Sequence, residues 1–216
     1  MLTSRRSALL ATGALLALAA CGSGNTAQPK GKYETASDMA IGDPKAPVTL
    51  IEYASLTCPH CRTFHESVLE KLKANYIDTG KVRFVFREFT TPPAELAAAG
   101  FQIARCGDAD AERYFSRLAV MFDKQPQIFA ALQAGQARQA LLEIAQSAGL
   151  SEAQFDQCVS DEKGFARIKA TEEAGVKEFK ITGTPSLILN GERLTAPAAY
   201  TYEGLAELID AEIAKS

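Results

Sequence analysis

Four residues of this 216-residue chain carry the strongest chemical signal: Cys58-Pro59-His60-Cys61. Two cysteines at i and i+3 of a helix share one face, so their sulfurs can reach each other. Pro59 suits the first helical position, where a missing N–H costs nothing. Cys58 then sits at the helix amino end, where unpaired backbone N–H groups and the helix dipole favour a thiolate. In that reading Cys58 is the nucleophile and leaving group. Cys61, one turn further in, is the resolving thiol, and His60 adds positive charge or a donor. Two plainer readings stand beside it. The pair could be half of a zinc site with His65, but zinc needs four ligands, and the other cysteines are far away with no third histidine. A buried structural disulfide is the other, although a strand-to-helix junction presenting Pro-His is an odd place for one. No metal and no cofactor are expected, and His65 reads as an exposed helix residue.

The elements that must hold this site follow from the hydrophobic pattern. Val48-Thr-Leu-Ile-Glu-Tyr53, just before the motif, is almost continuously apolar, as is Val82-Arg-Phe-Val-Phe86. Such runs belong to strands covered on both faces. Between them Phe64, Val68, Leu69 and Leu72 recur at helical spacing. Leu187-Ile-Leu189, Asn190-Gly191 and Glu192-Arg-Leu194 read as a hairpin. Leu205, Leu208, Ile209 and Ile213 mark a last helix. The long section from 93 to 179 has no strand signal and is rich in helix formers. Ser151-Glu-Ala-Gln154 inside it reads as a capping box after Gly149 closes a helix. The predicted order is strand, helix, strand, helical block, hairpin, helix. That is an α/β fold with an all-helical insertion.

Glu52 lies on the first strand six residues before Cys58 and shares a face with Val48 and Leu50. It should point inward, where a lone charge is costly. A carboxyl there could relay the proton of Cys61. The alternative is a carboxylate that escapes to solvent at the strand end.

The amino-terminal residues read as an address. Arg5 and Arg6 precede an apolar stretch from Ala8 to Ala20. It is too short to span a bilayer and suits the core of an export signal. Leu18-Ala19-Ala20-Cys21 resembles the bacterial lipobox, which makes Cys21 the lipidated first residue of the mature chain; otherwise Cys21 is a stray thiol after ordinary cleavage. Lipidation would leave four cysteines of the five, an even number. Residues 21–37 are polar and rich in Gly, Pro and Ser, as a flexible tether would be. Cys106 and Cys158 form the leftover pair, which an exported protein is expected to bridge; two separate buried thiols are the alternative.

A formal charge of −3 with no basic run argues against nucleic acid as the main partner. Hydrophobic residues at 47% and charged residues at 23% exclude a disordered chain and a multi-pass membrane protein.

Taken together, Cys-Pro-His-Cys after a buried strand resembles the DsbA family of thioredoxin-fold thiol:disulfide oxidoreductases, over nearly all of the chain beyond the tether. Gly183-Thr184-Pro185 resembles that family's cis-proline loop, which faces the cysteine pair; its Thr184 backbone would pair with an extended substrate. Glu52 stands where such enzymes carry a buried acid. Thr57 replaces the tryptophan usual in thioredoxins before the first cysteine, and Thr184 the valine of the best-known DsbA oxidants. The resemblance implies a thioredoxin fold in two parts, 38–92 and 180–216, around the insertion at 93–179, behind a signal at 1–20 and the tether at 21–37. It implies donation of a Cys58–Cys61 disulfide to reduced exported proteins in the periplasm or cell envelope, by a lipid-anchored monomer reoxidised by a DsbB-like quinone reductase of the membrane. A reducing exchange protein of the same fold is the alternative. Further off lie an isomerase, for which a dimerisation arm is missing, and a non-catalytic lipoprotein that binds peptides or metal.

Overall fold

A computed structural model describes residues 31–216. The expected export signal, Cys21 and the first part of the expected tether lie outside the described residues. A five-stranded mixed sheet forms the centre, in the order β1-β3-β2-β4-β5. Its strands are β1 (Met39–Ile41), β2 (Val48–Ala54), β3 (Val82–Glu88), β4 (Ser186–Leu189) and β5 (Glu192–Arg193). β2 and β3 pair in parallel, while β1 on β3, β4 on β2 and β5 on β4 are antiparallel. Every residue of β2 and β3 is buried, which accounts for their mostly apolar runs and obliges the charged residues within them to find partners.

The helix that opens at the dithiol starts as α1 (Pro59–Phe64). It continues through a π turn (His65–Leu69), a short α2 (Glu70–Leu72) and a second π turn (Lys73–Ile77). This helix and α9 (Tyr202–Ile213) cover the face of the sheet that carries Val48, Leu50, Phe84 and Phe86. The other face carries Ile51, Tyr53, Val85 and Ile188.

The helical block comprises α3 (Ala94–Arg105), α4 (Ala111–Asp123), α5 (Gln125–Gln133), α6 (Ala137–Ser147), α7 (Glu152–Val159) and α8 (Glu162–Phe179). Side-chain caps set its helix starts: Asp110 for α4, the Ser151–Gln154 capping box for α7 and Asp161 for α8. Cys106 and Cys158 are joined in a disulfide. Closing that 52-residue separation contributes about 4 kcal/mol in the chain-entropy account.

Two buried ionic knots tie these layers together. At the end of β3, buried Glu88 accepts from Arg105 Nε at 2.7 Å, Tyr114 Oη at 3.0 Å and Arg167 Nη2 at 3.3 Å, which anchors α3, α4 and α8 to the sheet. Arg83 and Arg87 point from β3 toward the opposite face. Glu34 takes Arg83 Nε and Nη2 at 2.7 and 3.1 Å; Asp38 takes Arg87 Nε and Nη2 at 3.1 and 2.9 Å.

These pairs correct the expected tether. Its last residues, 31–37, form turns held against the sheet, because two buried guanidinium groups require carboxylate partners. β1, a three-residue edge strand, was not expected at all.

At the back of Tyr53 the chain permits only glycine. A Cβ on Gly175 of α8 would lie 2.6 Å from Tyr53 Cε1. The absence of a side chain there lets α8 close onto the sheet beside the Tyr53–Arg87 bond of 2.9 Å.

Candidate active site

β2 delivers the chain to a buried turn, Ser55-Leu56-Thr57, before α1 begins. Cys58 is the N-cap residue of α1, in extended backbone, with Pro59 in the first turn. The turn is held from three sides. Cys58 N–H donates to Ser55 O at 3.1 Å. Ser55 Oγ and Thr57 Oγ1 lie 3.0 Å apart, and Thr57 Oγ1 reaches Thr91 O at 2.7 Å. From the helical block, the buried Gln125 amide donates to Leu56 O at 2.8 Å and to Cys58 O at 3.1 Å.

Both cysteines are free thiols. Cys58 is 7% exposed and Cys61 0%. Cys58 Sγ lies 3.2 Å from Thr184 O, to which it donates in its thiol form, and the Thr184–Pro185 peptide is cis. The sequence-predicted loop is therefore brought against the dithiol. A groove of about 320 Å³ runs beside it, walled by His60, Thr63, Phe64, Pro185 and Tyr200 among others.

The two thiols are driven apart in acidity. Cys58 is lowered to about 5. The largest cause is the hydrogen bond from Cys61; burial opposes it, and the Thr184 side chain and the backbone N–H groups of Cys61 and His60 add to it. The Thr184 hydroxyl is itself buried without a strict hydrogen-bond partner among the described residues. Cys61 is pushed well above the usual thiol range, first by burial, then by the Cys58 hydrogen bond and the Glu52 charge. At pH 7 Cys58 is then almost wholly thiolate and Cys61 is a thiol. The His60 ring is exposed at the groove, so its contribution to the thiolate comes through its backbone.

Glu52 points inward and is completely buried, with Oε2 2.8 Å from His65 Nε2. This corrects the expectation of an exposed His65. Its side chain is only 9% exposed and packs on Phe122, with ring centroids 4.1 Å apart. The spacing held the signal: His65 lies four residues after Cys61 and three before Val68, on the apolar face of the helix. Gln125, Ser55 and Thr91 carried no such local mark. Among the described residues no group of three or more His, Cys, Asp or Glu is placed to hold a metal ion. Cys106 and Cys158 are committed to each other.

A family profile described as Thioredoxin matches residues 34–211. The crystal structure of Wolbachia pipientis alpha-DsbA1 superposes with a TM-score of 0.73 and 28% identity, over 84% of this chain and 94% of that one. The chain belongs to the DsbA family. A Rickettsia prowazekii relative named as a protein-disulfide oxidoreductase is 32% identical over 81% of this chain. The corresponding Rickettsia conorii protein is 35% identical over 72%. This DsbA-family chain spans 61% and 54% of the lengths of those two relatives. Oxidised BdbD of Bacillus subtilis shares the fold, with a TM-score of 0.69 at 21% identity over 86% of this chain and 97% of that one. The fold is the thioredoxin arrangement with a helical insertion, and no helix among the described residues is long and apolar enough to cross a membrane.

Proposed function

We propose that this DsbA-family chain is a protein dithiol oxidant, donating a Cys58–Cys61 disulfide to thiol pairs of exported proteins. The observation that carries the reading is the asymmetry of the dithiol: Cys58 is lowered to about 5 at a helix amino end, while Cys61 is raised and buried. A substrate thiolate attacks Cys58 Sγ of the enzyme disulfide. The S–S electron pair leaves on Cys61, which takes up a proton. The substrate's second thiolate then attacks its own sulfur in the mixed disulfide and releases Cys58 as a thiolate. Two electrons pass from substrate to enzyme, and the stable Cys58 thiolate makes it the preferred leaving group.

The groove beside Thr184 and Pro185 is the proposed seat of an extended substrate segment, paired to the backbone of Thr184. With export and lipid anchoring at Cys21, as the amino-terminal residues suggest, the reaction would take place in the periplasm or at the cell envelope. A DsbB-like membrane quinone reductase would reoxidise the dithiol, and the working unit is taken as a monomer. The test is the redox equilibrium with glutathione, together with oxidation of a reduced peptide by wild type and Cys58→Ser. A potential well above that of thioredoxin, about −270 mV, with loss of oxidation in the variant, is the expected result. A potential at or below that value refutes the oxidant. Unchanged peptide oxidation by Cys58→Ser refutes catalysis by this dithiol.

A further inference from the structure

Cys61 presents a proton problem that the substrate side does not solve. Its sulfur is fully buried, yet it must gain a proton whenever the disulfide opens and lose it whenever the disulfide closes. A substrate seated in the groove beside Pro185 covers the exposed approach through Cys58. The proton therefore needs another way in.

On the inner side of Cys61 the structure holds a second set of groups. Cys61 and His65 lie one helical turn apart, with His65 N–H bonded to Cys61 O. Buried Glu52 reaches His65 from β2. Its Oε2 meets His65 Nε2 at 2.8 Å, while Oε1 is buried without a partner among the described residues. The carboxylate is close enough for its charge to act on the Cys61 thiol. His65 in turn is part of the wall of a different groove, of about 1140 Å³, between the first π turn and α4. None of the residues around the cis-proline groove lines it.

We propose that Glu52 and His65 form a proton conduit joining the buried Cys61 sulfur to solvent in the α4 groove, so that proton exchange continues while substrate occupies the other groove. When the disulfide opens, the His65 Nε2 proton passes to the Glu52 carboxylate and on to Cys61 Sγ, and groove water returns a proton to Nδ1, so Glu52 is a carboxylate again once Cys61 is a thiol. One proton enters from solvent for each disulfide opened, and closure runs the sequence backward. His65 acts through Glu52 and is a positioning and relay residue. The charged groups on the groove around it are Glu66, Glu70 and Lys73 of its own helix and Asp78 of the turn beyond. Arg83 of β3 and Glu112 and Asp123 of α4 complete the ring. The other groups packed on the imidazole are the rings of Phe64, Phe86 and Phe122.

This inference rests on the dithiol reading but not on the direction of electron flow or the identity of the substrate. The experiment is therefore stopped-flow exchange of the oxidised full chain with reduced glutathione between pH 5 and 8. His65→Ala is expected to slow disulfide opening about a hundredfold, in the range of a lost general acid, with the equilibrium constant nearly unchanged. The vacated ring space opens onto the α4 groove, so added imidazole should restore the rate. His65→Gln keeps a hydrogen bond to Glu52 without a mobile proton and should stay slow. Wild-type rates in either variant, or slowing of His65→Ala that imidazole does not relieve, overturn the conduit. If His65→Ala fails to fold, His65→Gln decides: slow opening with an unchanged Cys58 titration supports the proposal, and a wild-type rate overturns it.

Discussion

Removing the Cys61 thiol tests where the acidity of Cys58 comes from. The largest cause of its low value, about 5, is the hydrogen bond donated by Cys61. A hydrogen bond to a charged acceptor is worth about 1.5–3 kcal/mol, or about 1–2 pKa units. Cys61→Ala should therefore raise Cys58 to about 6–7, with the helix-end N–H groups and the Thr184 side chain holding the rest. At pH 6 the thiolate fraction would fall from about 90% to between about 50% and 10%. Thiolate absorbance at 240 nm, titrated on the single-thiol variant, reads this directly, because the chain has no tryptophan to mask the band. Cys61→Ser keeps a donor and should shift less. A Cys58 that stays near 5 in Cys61→Ala would show that the backbone alone holds the thiolate and refute the partition. A wild-type Cys58 still protonated at pH 7 would remove the driving force for oxidation altogether.

Three further outcomes follow from the same structure. Because Cys58 is depressed in the folded dithiol, the reduced form should gain stability over the oxidised form as pH rises above 5, by about 1.4 kcal/mol per unit up to the ordinary thiol range. The gain should be about 3 kcal/mol at pH 7, worth about 60 mV of oxidising power, and should vanish as pH falls through 5; urea melts of the two forms across pH check it. Glu88→Ala strips the shared carboxylate from Arg105 and Arg167 and should cost about 3–5 kcal/mol in chemical denaturation. The double variant Cys106→Ser/Cys158→Ser should lose about 4 kcal/mol of stability while leaving the Cys58 titration in place; a moved titration would contradict the separation of the two sulfur pairs.

How much of this was legible depends on distance along the chain. The dithiol, its helix start and the inward Glu52 are local patterns, set by spacing of three and by strand alternation, and a sequence displays them. His65 was readable in principle, since its place four residues after Cys61 puts it inside, but a lone histidine among polar neighbours invites a surface reading. Arg83 and Arg87 are instructive. Two arginines inside an otherwise apolar strand signalled that acids must come to meet them, yet Glu34 and Asp38 lie 49 residues earlier, one inside a segment whose composition suggests a tether and the other just beyond its end. Gln125 is 67 residues from Cys58, and no local pattern distinguishes it from the other glutamines of the helical block.

That glutamine also makes the protein hard to reduce to its essentials. A trimmed thioredoxin core, with α3 to α8 excised, would keep the dithiol and the cis-proline yet leave the buried Leu56 carbonyl beside the nucleophile without the amide that meets it. Engineers who want a smaller catalyst from this scaffold would have to supply a substitute amide first.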